Sequence, residues 1–130
     1  MIKQIAHLGI VVKDVEKAKA YYKNALGLKV SPTQTEEGFK LSMVEVGDAL
    51  LELMEPIGSE GPTGKFLAKH GEGIHHICYE TDNIEAELKS LAAKGVELVD
   101  KTPRQGIEGL VAFMHPRSTY GVLTELVQKP

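Results

Sequence analysis

The sequence has little of several features that mark whole classes of protein. With a single cysteine, Cys78, the chain cannot form an internal disulfide bond, which fits a reducing compartment. No stretch approaches the roughly 20 consecutive apolar residues that a membrane-spanning helix needs. The N-terminus also has no long apolar segment typical of a signal peptide. These absences predict a cytoplasmic protein that does not enter the membrane.

The charge is nearly balanced, and tryptophan is absent. The 15 Lys and Arg residues stand against 18 Asp and Glu residues, which gives a net charge of -3 at pH 7. The basic residues are scattered, so the sequence does not have the basic stripe typical of nucleic-acid-binding proteins. With 42% hydrophobic and 25% charged residues, the 130-residue chain has the composition of one ordinary globular domain.

Apolar spacing predicts the same elements twice along the chain. A strand over residues 4–12 precedes a helix that Asp14 caps, and a strand over residues 74–81 precedes a helix that Asn83 caps. Residues 57–72 begin with a stretch rich in Gly, Pro and Ser and are predicted to be a linker that contains one short helical turn at residues 65–69. The other predicted strands span residues 28–33, 38–46, 49–54, 96–99, 110–114 and 121–128.

The repeat is visible in the residues themselves. The segment His7-Leu8-Gly9-Ile10 aligns with His76-Ile77-Cys78-Tyr79, which begins 69 residues later. A Leu-x-Glu-Leu motif lies in the final predicted strand of each repeat, at residues 50–53 and 123–126.

This repeat predicts the fold class. We expect one α+β domain over residues 1–130, made of two tandem βαβββ modules at residues 1–56 and 73–130. The modules are expected to form one curved, cup-shaped mixed β-sheet with the helices on the outside. Their first and last strands would line the concave face.

Alternation along the strands brings one histidine and one glutamate of each module to this inner face. His7 and His76 occupy matched places in the first strands, and Glu52 and Glu125 occupy matched places in the last strands. An unpaired buried carboxylate costs several kcal/mol, so a partner must compensate each glutamate. Two imidazoles and two carboxylates form a ligand set for a divalent metal ion. We predict that these four residues bind one such ion.

Each of these residues has a simpler interpretation when it is taken alone. A histidine in a strand is commonly a core residue with satisfied hydrogen bonds, and a glutamate commonly faces solvent at an edge. The matched positions in both modules favour the metal site. Cys78 shares the face of His76, but we interpret it as a small apolar core residue. His115 either contacts a substrate or braces its turn together with Pro116.

Several motifs resemble those of one known family. The two modules resemble the vicinal oxygen chelate superfamily, which includes glyoxalase I, extradiol dioxygenases and fosfomycin-resistance proteins. Within it, the motifs resemble the methylmalonyl-CoA epimerase family over essentially the whole chain. They are residues 5–10 (IAHLGI), 51–56 (LELMEP), 65–70 (KFLAKH), 73–78 (GIHHIC), 114–118 (MHPRS) and 121–126 (GVLTEL).

The resemblance implies an isomerase that interconverts (R)- and (S)-methylmalonyl-CoA through an enolate. It places the metal ligands on His7, Glu52, His76 and Glu125, and it gives Glu125 a second role as catalytic base. The implied cofactor is a divalent metal ion, with cobalt expected first and nickel, zinc or manganese as alternatives.

The resemblance leaves a second catalytic base open. The position at which some family members carry this base falls on Leu41, three residues after Gly38. Glu45 faces the same way along the predicted strand and is our candidate to replace it. Its alternative role is that of a solvated strand residue.

The loop before Glu125 supplies the candidates for substrate binding. Ser118 and Thr119 offer hydroxyl and backbone N–H groups for the substrate carboxylate, and His115 lies close to them in sequence. The alternative is an ordinary polar turn. The resemblance further implies a small-molecule acyl-CoA substrate and a homodimer, and the scattered basic residues predict no nucleic-acid partner.

Other functions share the same scaffold. A lactoylglutathione lyase (glyoxalase I)-like isomerase also needs a metal and a glutamate base, so fold and ligands alone do not separate it from an epimerase. A non-catalytic member of the superfamily would only bind its ligand. A dioxygenase would use two histidines and one carboxylate around ferrous iron, and the fourth candidate ligand, Glu52, counts against it.

Overall fold

Strand β1, Ile2–Val11, is shared between two structural units. The computed structural model describes residues 1–130. The N-terminal unit is His7–His75, and the C-terminal unit is Met1–Ala6 together with His76–Pro130. The first residues of β1 therefore belong to the C-terminal unit, although they begin the chain. None of the helices is both long and apolar enough to cross a membrane.

The N-terminal unit has the predicted order of strand, helix and strands. Helix α1, Val15–Ala20, begins after Asp14, whose Oδ1 accepts a hydrogen bond from Lys17 N at 3.1 Å. One π-helical turn follows, and Gly27 then reverses the chain with a φ of 69°, which glycine adopts without steric cost. The strands are β2 (Lys29–Val30), β3 (Gln34–Glu36), β4 (Phe39–Val46) and β5 (Ala49–Pro56), in the order β2-β4-β5-β1, with β3 also paired to β4.

The C-terminal unit repeats this plan. Most of β6, Gly73–Thr81, belongs to it, and helix α3, Ile84–Ala93, begins after Asn83, whose side chain accepts a hydrogen bond from Ala86 N. The remaining strands are β7 (Arg104–Gln105), β8 (Leu110–Met114) and β9 (Thr124–Gln128), in the order β6-β9-β8-β7. In each unit the first strand runs parallel to the last, β1 to β5 and β6 to β9.

The same contact anchors each helix to the last strand of its own unit. Val15 N, at the start of α1, donates to Glu55 Oε1 at 2.9 Å, and Ile84 N, at the start of α3, donates to Gln128 Oε1 at 2.8 Å. Both acceptors lie three residues after the glutamate of the Leu-x-Glu-Leu motif. Each contact satisfies a helix N–H group that has no partner within the helix.

An apolar cluster lies against the helix of each unit. Burying one Val or Leu side chain contributes about 1.5–3 kcal/mol, so these clusters hold the helices on the strands. The buried members are Val12, Val15, Val44 and Leu53 in the N-terminal unit, and Ile84, Leu88, Ala112, Met114 and Leu126 in the C-terminal unit.

Two of the short strand predictions are wrong in extent. Residues 28–33 form only the two-residue strand β2, because Pro32 has no N–H group with which to continue a ladder. Residues 96–99 form only a single bridge, from Leu98 to Met114. Val96 and Leu98 instead pack against the apolar cluster under α3. Strands β3 and β7 were not predicted.

The predicted linker contains a helix, and the last strand begins later than predicted. Helix α2, Pro62–His70, occupies most of residues 57–72 and starts with proline, whose missing N–H costs nothing at a first helical position. Strand β9 begins at Thr124 rather than at residue 121. The amides of Gly121 and Val122 donate to carbonyls within the preceding turn and are not part of the ladder.

Glu80, on β6, gives the stability of the C-terminal unit a dependence on pH. Gln4 Nε2 donates to its carboxylate at 3.0 Å, and Lys129 and Lys3 lie 3.4 and 3.9 Å from it. The hydrogen bond from Gln4 and the charges of the two lysines outweigh the opposing effect of burial, so the pKa of Glu80 lies below its ordinary value. The ionised carboxylate therefore stabilises the fold above the ordinary pKa, and this contribution is lost as the pH falls through the lower, folded-state pKa.

We expect Glu80→Gln to reduce the free energy of unfolding more at about pH 7 than at an acidic pH below the lowered, folded-state pKa, where the wild-type carboxylate is protonated as well. Urea unfolding of both proteins at the two pH values measures the difference. Glu60→Gln, which changes an exposed glutamate, is the control. An equal loss of stability at both pH values would contradict the role given to the ionised carboxylate.

Candidate active site

The N-terminal unit contains one buried histidine–glutamate pair. In the parallel register of β1 and β5, His7 lies beside Leu50 and Gly9 lies beside Glu52, so His7 and Glu52 share one face of these strands. His7 Nε2 lies 3.7 Å from Glu52 Oε1, and the two residues are only 4% and 7% exposed. The first and last strands of the N-terminal unit thus bring His7 and Glu52 together.

The C-terminal unit contains the matching pair. Cys78 lies beside Glu125 in the parallel register of β6 and β9, and His76 precedes Cys78 by two residues on the same face. His76 Nε2 lies 3.1 Å from Glu125 Oε1, and these residues are also 4% and 7% exposed. Phe113, which lies opposite Glu125 on β8, packs edge-on against the His76 ring with 5.7 Å between ring centroids.

The two pairs have the same construction. In each unit the glutamate is the register partner of the residue two positions after the histidine. Both glutamates are buried as strand residues next to imidazole, and nitrogen and carboxylate oxygen are ligands suited to a divalent transition metal. His7, Glu52, His76 and Glu125 all belong to groups of side chains that could hold a metal ion. The chemistry and burial of the donors thus fit a metal ion.

Cys78 belongs to one of those groups as well, but its packing fits the predicted core role. Its side chain is fully buried and clusters with Ala6, Val111 and Val127 in the C-terminal unit.

Glu45, the candidate second base, is exposed. It lies on β4 opposite Leu50, two residues beyond Met43, which is the register partner of Glu52. Glu45 Oε2 lies 3.6 Å from Lys29 Nζ in a surface ion pair. The same strand face carries Leu41, which is 1% exposed, so burial increases along β4 from Glu45 towards Leu41.

The loop of residues 115–122 contains the three predicted substrate-binding residues, and each has a structural contact within its unit. His115 Nδ1 accepts a hydrogen bond from Arg117 N at 3.1 Å. Ser118 Oγ accepts from Glu97 N at 2.8 Å, and the Thr119 hydroxyl donates to Val122 O. The hydroxyl hydrogen of Ser118 therefore points away from the Glu97 amide, whereas the hydroxyl hydrogen of Thr119 is donated to Val122 O.

Two features of this region carry no signal in the sequence. Glu97 contacts the loop from the irregular segment after α3, and the strand pattern of residues 96–99 gives no indication of this contact. Tyr120 has a φ of 58°, which is uncommon for a residue other than glycine, and its side chain is fully exposed.

A groove of about 960 Å³ lies between α3 and residues 95–103, and none of the predicted site residues lines it.

Comparison with known proteins identifies relatives along almost the whole chain. The family model of the Glyoxalase/Bleomycin resistance protein/Dioxygenase superfamily matches residues 6–113. Human mitochondrial methylmalonyl-CoA epimerase is 40% identical over 129 residues, which are 96% of this chain and 73% of that protein. The ethylmalonyl-CoA/methylmalonyl-CoA epimerase of Cereibacter sphaeroides is 37% identical over 133 residues, which are 98% of this chain and 99% of that protein.

A solved structure extends the likeness to the fold. A variant of Streptomyces coelicolor methylmalonyl-CoA epimerase in complex with 2-nitronate-propionyl-CoA superposes with a TM-score of 0.91 and 34% identity, covering 99% of each chain. This likeness confirms the predicted α+β fold class of the vicinal oxygen chelate type. The chain therefore belongs to the glyoxalase/bleomycin resistance/dioxygenase superfamily and, within it, to the methylmalonyl-CoA epimerase family.

Proposed function

We propose that this protein is a methylmalonyl-CoA epimerase, an isomerase that interconverts the (R) and (S) forms of its acyl-CoA substrate. The observation that carries the proposal is the duplicated, buried histidine–glutamate pair in a chain of this family. A glyoxalase I-like activity would need similar groups, but the named relatives over nearly the full chain are epimerases. We further propose a homodimer and a cytoplasmic location.

The proposed metal ligands are His7, Glu52, His76 and Glu125. A cation would offset the cost of burying two carboxylates, which supports assigning all four residues to one divalent ion. Cobalt is the proposed metal, and nickel, zinc and manganese suit the same nitrogen and oxygen donors. When bound, such an ion supplies positive charge for the substrate oxygens on which negative charge develops.

Glu125 is the proposed catalytic base. The substrate carries an acidic hydrogen on the carbon between its thioester and its carboxylate, and removal of that hydrogen leaves an enolate. A carboxylate that is 7% exposed is shielded from water, which strengthens its electrostatic interaction with the reacting carbon. Return of a hydrogen on the opposite face of the enolate inverts the centre.

The loop before β9 is proposed to bind the substrate carboxylate. Ser118 is the strongest of the three predicted residues, because its hydroxyl accepts from Glu97 N and keeps its own hydrogen for a substrate oxygen. Thr119 would contribute through its backbone, since its hydroxyl donates to Val122 O. His115 would act by shaping the turn through Arg117 N.

Proton NMR of methylmalonyl-CoA in deuterated water tests the proposed function. We expect loss of the α-hydrogen signal that depends on both the protein and a divalent metal. A chelator should stop the exchange, and added cobalt should restore it. Absence of exchange with every metal, together with turnover of the glutathione hemithioacetal, would replace the epimerase proposal with a glyoxalase I-like one.

The proposal that Glu45 is the second base has its own test. If Glu125 and Glu45 act on opposite faces, Glu45→Gln should slow interconversion by about 100-fold or more, while one stereoisomer still exchanges its α-hydrogen. Chiral analysis combined with NMR exchange separates these two rates. Lys29→Gln removes the surface ion pair but keeps the carboxylate, and it should leave both rates near those of the wild type. Unchanged interconversion in Glu45→Gln would eliminate Glu45 as the base.

A further inference from the structure

Glu97 forms hydrogen bonds at both ends of the short 3-10 turn Pro116–Ser118. Its backbone carbonyl accepts from His115 N at 2.9 Å, and its backbone N–H donates to Ser118 Oγ at 2.8 Å. Its carboxylate Oε2 accepts from Arg117 Nη2 at 3.3 Å and lies 3.9 Å from His115 Nδ1. Glu97, which lies outside the loop, therefore contacts His115 at the start of the turn, the Arg117 side chain within it and Ser118 at its end.

The loop has a conformation that needs such support. Tyr120 holds a left-handed φ of 58° and has a fully exposed side chain, so its own packing does not compensate the cost of this backbone conformation. Strained residues of this kind persist when the surrounding structure fixes them. Gly121 N donates to Pro116 O at 2.8 Å, so the strained residue lies inside a turn whose other end is held by Glu97.

The loop leads directly into the proposed catalytic strand. Strand β9 begins at Thr124, and Glu125 is its second residue. A shift of the turn would therefore move the Ser118 hydroxyl relative to Glu125, and small misplacements of substrate-binding groups reduce activity strongly.

We propose that Glu97 is a positioning residue, whose carboxylate holds Arg117 and thereby fixes the Ser118 loop for binding the carboxylate of the acyl-CoA substrate. This inference rests on the proposed epimerase function for the identity of the ligand. The backbone contacts of Glu97 are available to any residue, so the specific contribution of the side chain is its pairing with Arg117.

A charge-swap series tests this role. Glu97→Ala should raise the KM for methylmalonyl-CoA by about 5-fold, the scale of one surface ion pair, with kcat changed by less than about 2-fold. The affinity for propionyl-CoA, which lacks the carboxylate, should stay near that of the wild type. Glu97→Arg and Arg117→Glu should each weaken binding of methylmalonyl-CoA, and the double variant should recover most of the loss. Glu16→Ala, which changes an exposed glutamate paired with Lys19 in the N-terminal unit, is the matched control.

Amide hydrogen exchange in the free protein provides a readout that does not depend on the substrate. Exchange at Gly121 and Val122 should be faster in Glu97→Ala than in the wild type, and the double variant should restore protection. Equal losses of affinity for methylmalonyl-CoA and propionyl-CoA, or no recovery in the double variant, would overturn the positioning role. If the wild-type protein does not catalyse exchange of the α-hydrogen, the epimerase function is refuted instead. The amide exchange data would still test whether the Glu97–Arg117 pair stabilises the loop.

Discussion

Replacement of Glu125 by glutamine is expected to slow α-hydrogen exchange in methylmalonyl-CoA by about 100- to 10,000-fold. Glutamine has the shape of glutamate but cannot accept a proton at neutral pH. Because Glu125 Oε1 lies 3.1 Å from His76 Nε2 in a buried setting, the amide should keep the side chain in place while the base is lost. The rate is measured by NMR at saturating substrate and metal.

Glu52→Gln makes the same chemical change at the matched position of the other unit. Glu52 is equally buried and lies beside His7, but the proposal gives it no proton to transfer. We therefore expect Glu52→Gln to weaken metal binding and to retain much of the exchange rate once metal is saturating. If both variants lose the same activity at saturating metal, Glu125 acts only as a ligand and the base must be sought elsewhere.

Removal of the metal is expected to abolish activity and to lower thermal stability together. A ligand present at about 100 times its Kd stabilises the folded state by about 2.7 kcal/mol, so a chelator should shift the unfolding midpoint measurably. His76→Ala removes one of the four proposed donors, and its metal affinity should fall by more than about 100-fold, beyond the 10- to 100-fold typical of changes around a ligand. Calorimetric titration with cobalt measures the affinity.

His70→Ala is the control for the loss of a histidine. His70 is exposed at the end of α2, where its ring lies 4.9 Å from that of Phe66. The His70→Ala variant should bind cobalt with the affinity of the wild type. Full exchange activity in a chelated protein shown by elemental analysis to contain no metal would contradict the proposed cofactor, and wild-type affinity in His76→Ala would remove that histidine from the ligand set.

The positions of the two histidine–glutamate pairs were accessible from the sequence because they depend on regular structure. Strand alternation fixes the face of His7 and His76, and the repeat fixes the matching strands of Glu52 and Glu125. The caps Asp14 and Asn83 were predicted for a similar reason, since an N-cap is a local hydrogen bond to an amide three residues later.

The contacts of the 115–122 loop could not be predicted from the sequence. Glu97 contacts Ser118, which lies 21 residues later, and no local pattern indicates this partner, so only tertiary packing determines that contact. The left-handed conformation of Tyr120 contradicts the local preference of a residue other than glycine. Similarly, residues 96–99 have strand composition, but their apolar side chains are drawn to the cluster under α3.

The division of β1 has a consequence for the order in which the chain can fold during synthesis. The N-terminal unit is complete once His75 has left the ribosome, because its residues are continuous. The C-terminal unit is not continuous in sequence. In it, Met1 contacts Asp82 and Gln4 contacts Glu80, and these partners are translated more than 70 residues later. Residues 1–6 therefore emerge well before their partners and are among the last to find their native contacts, and such distant pairings slow folding.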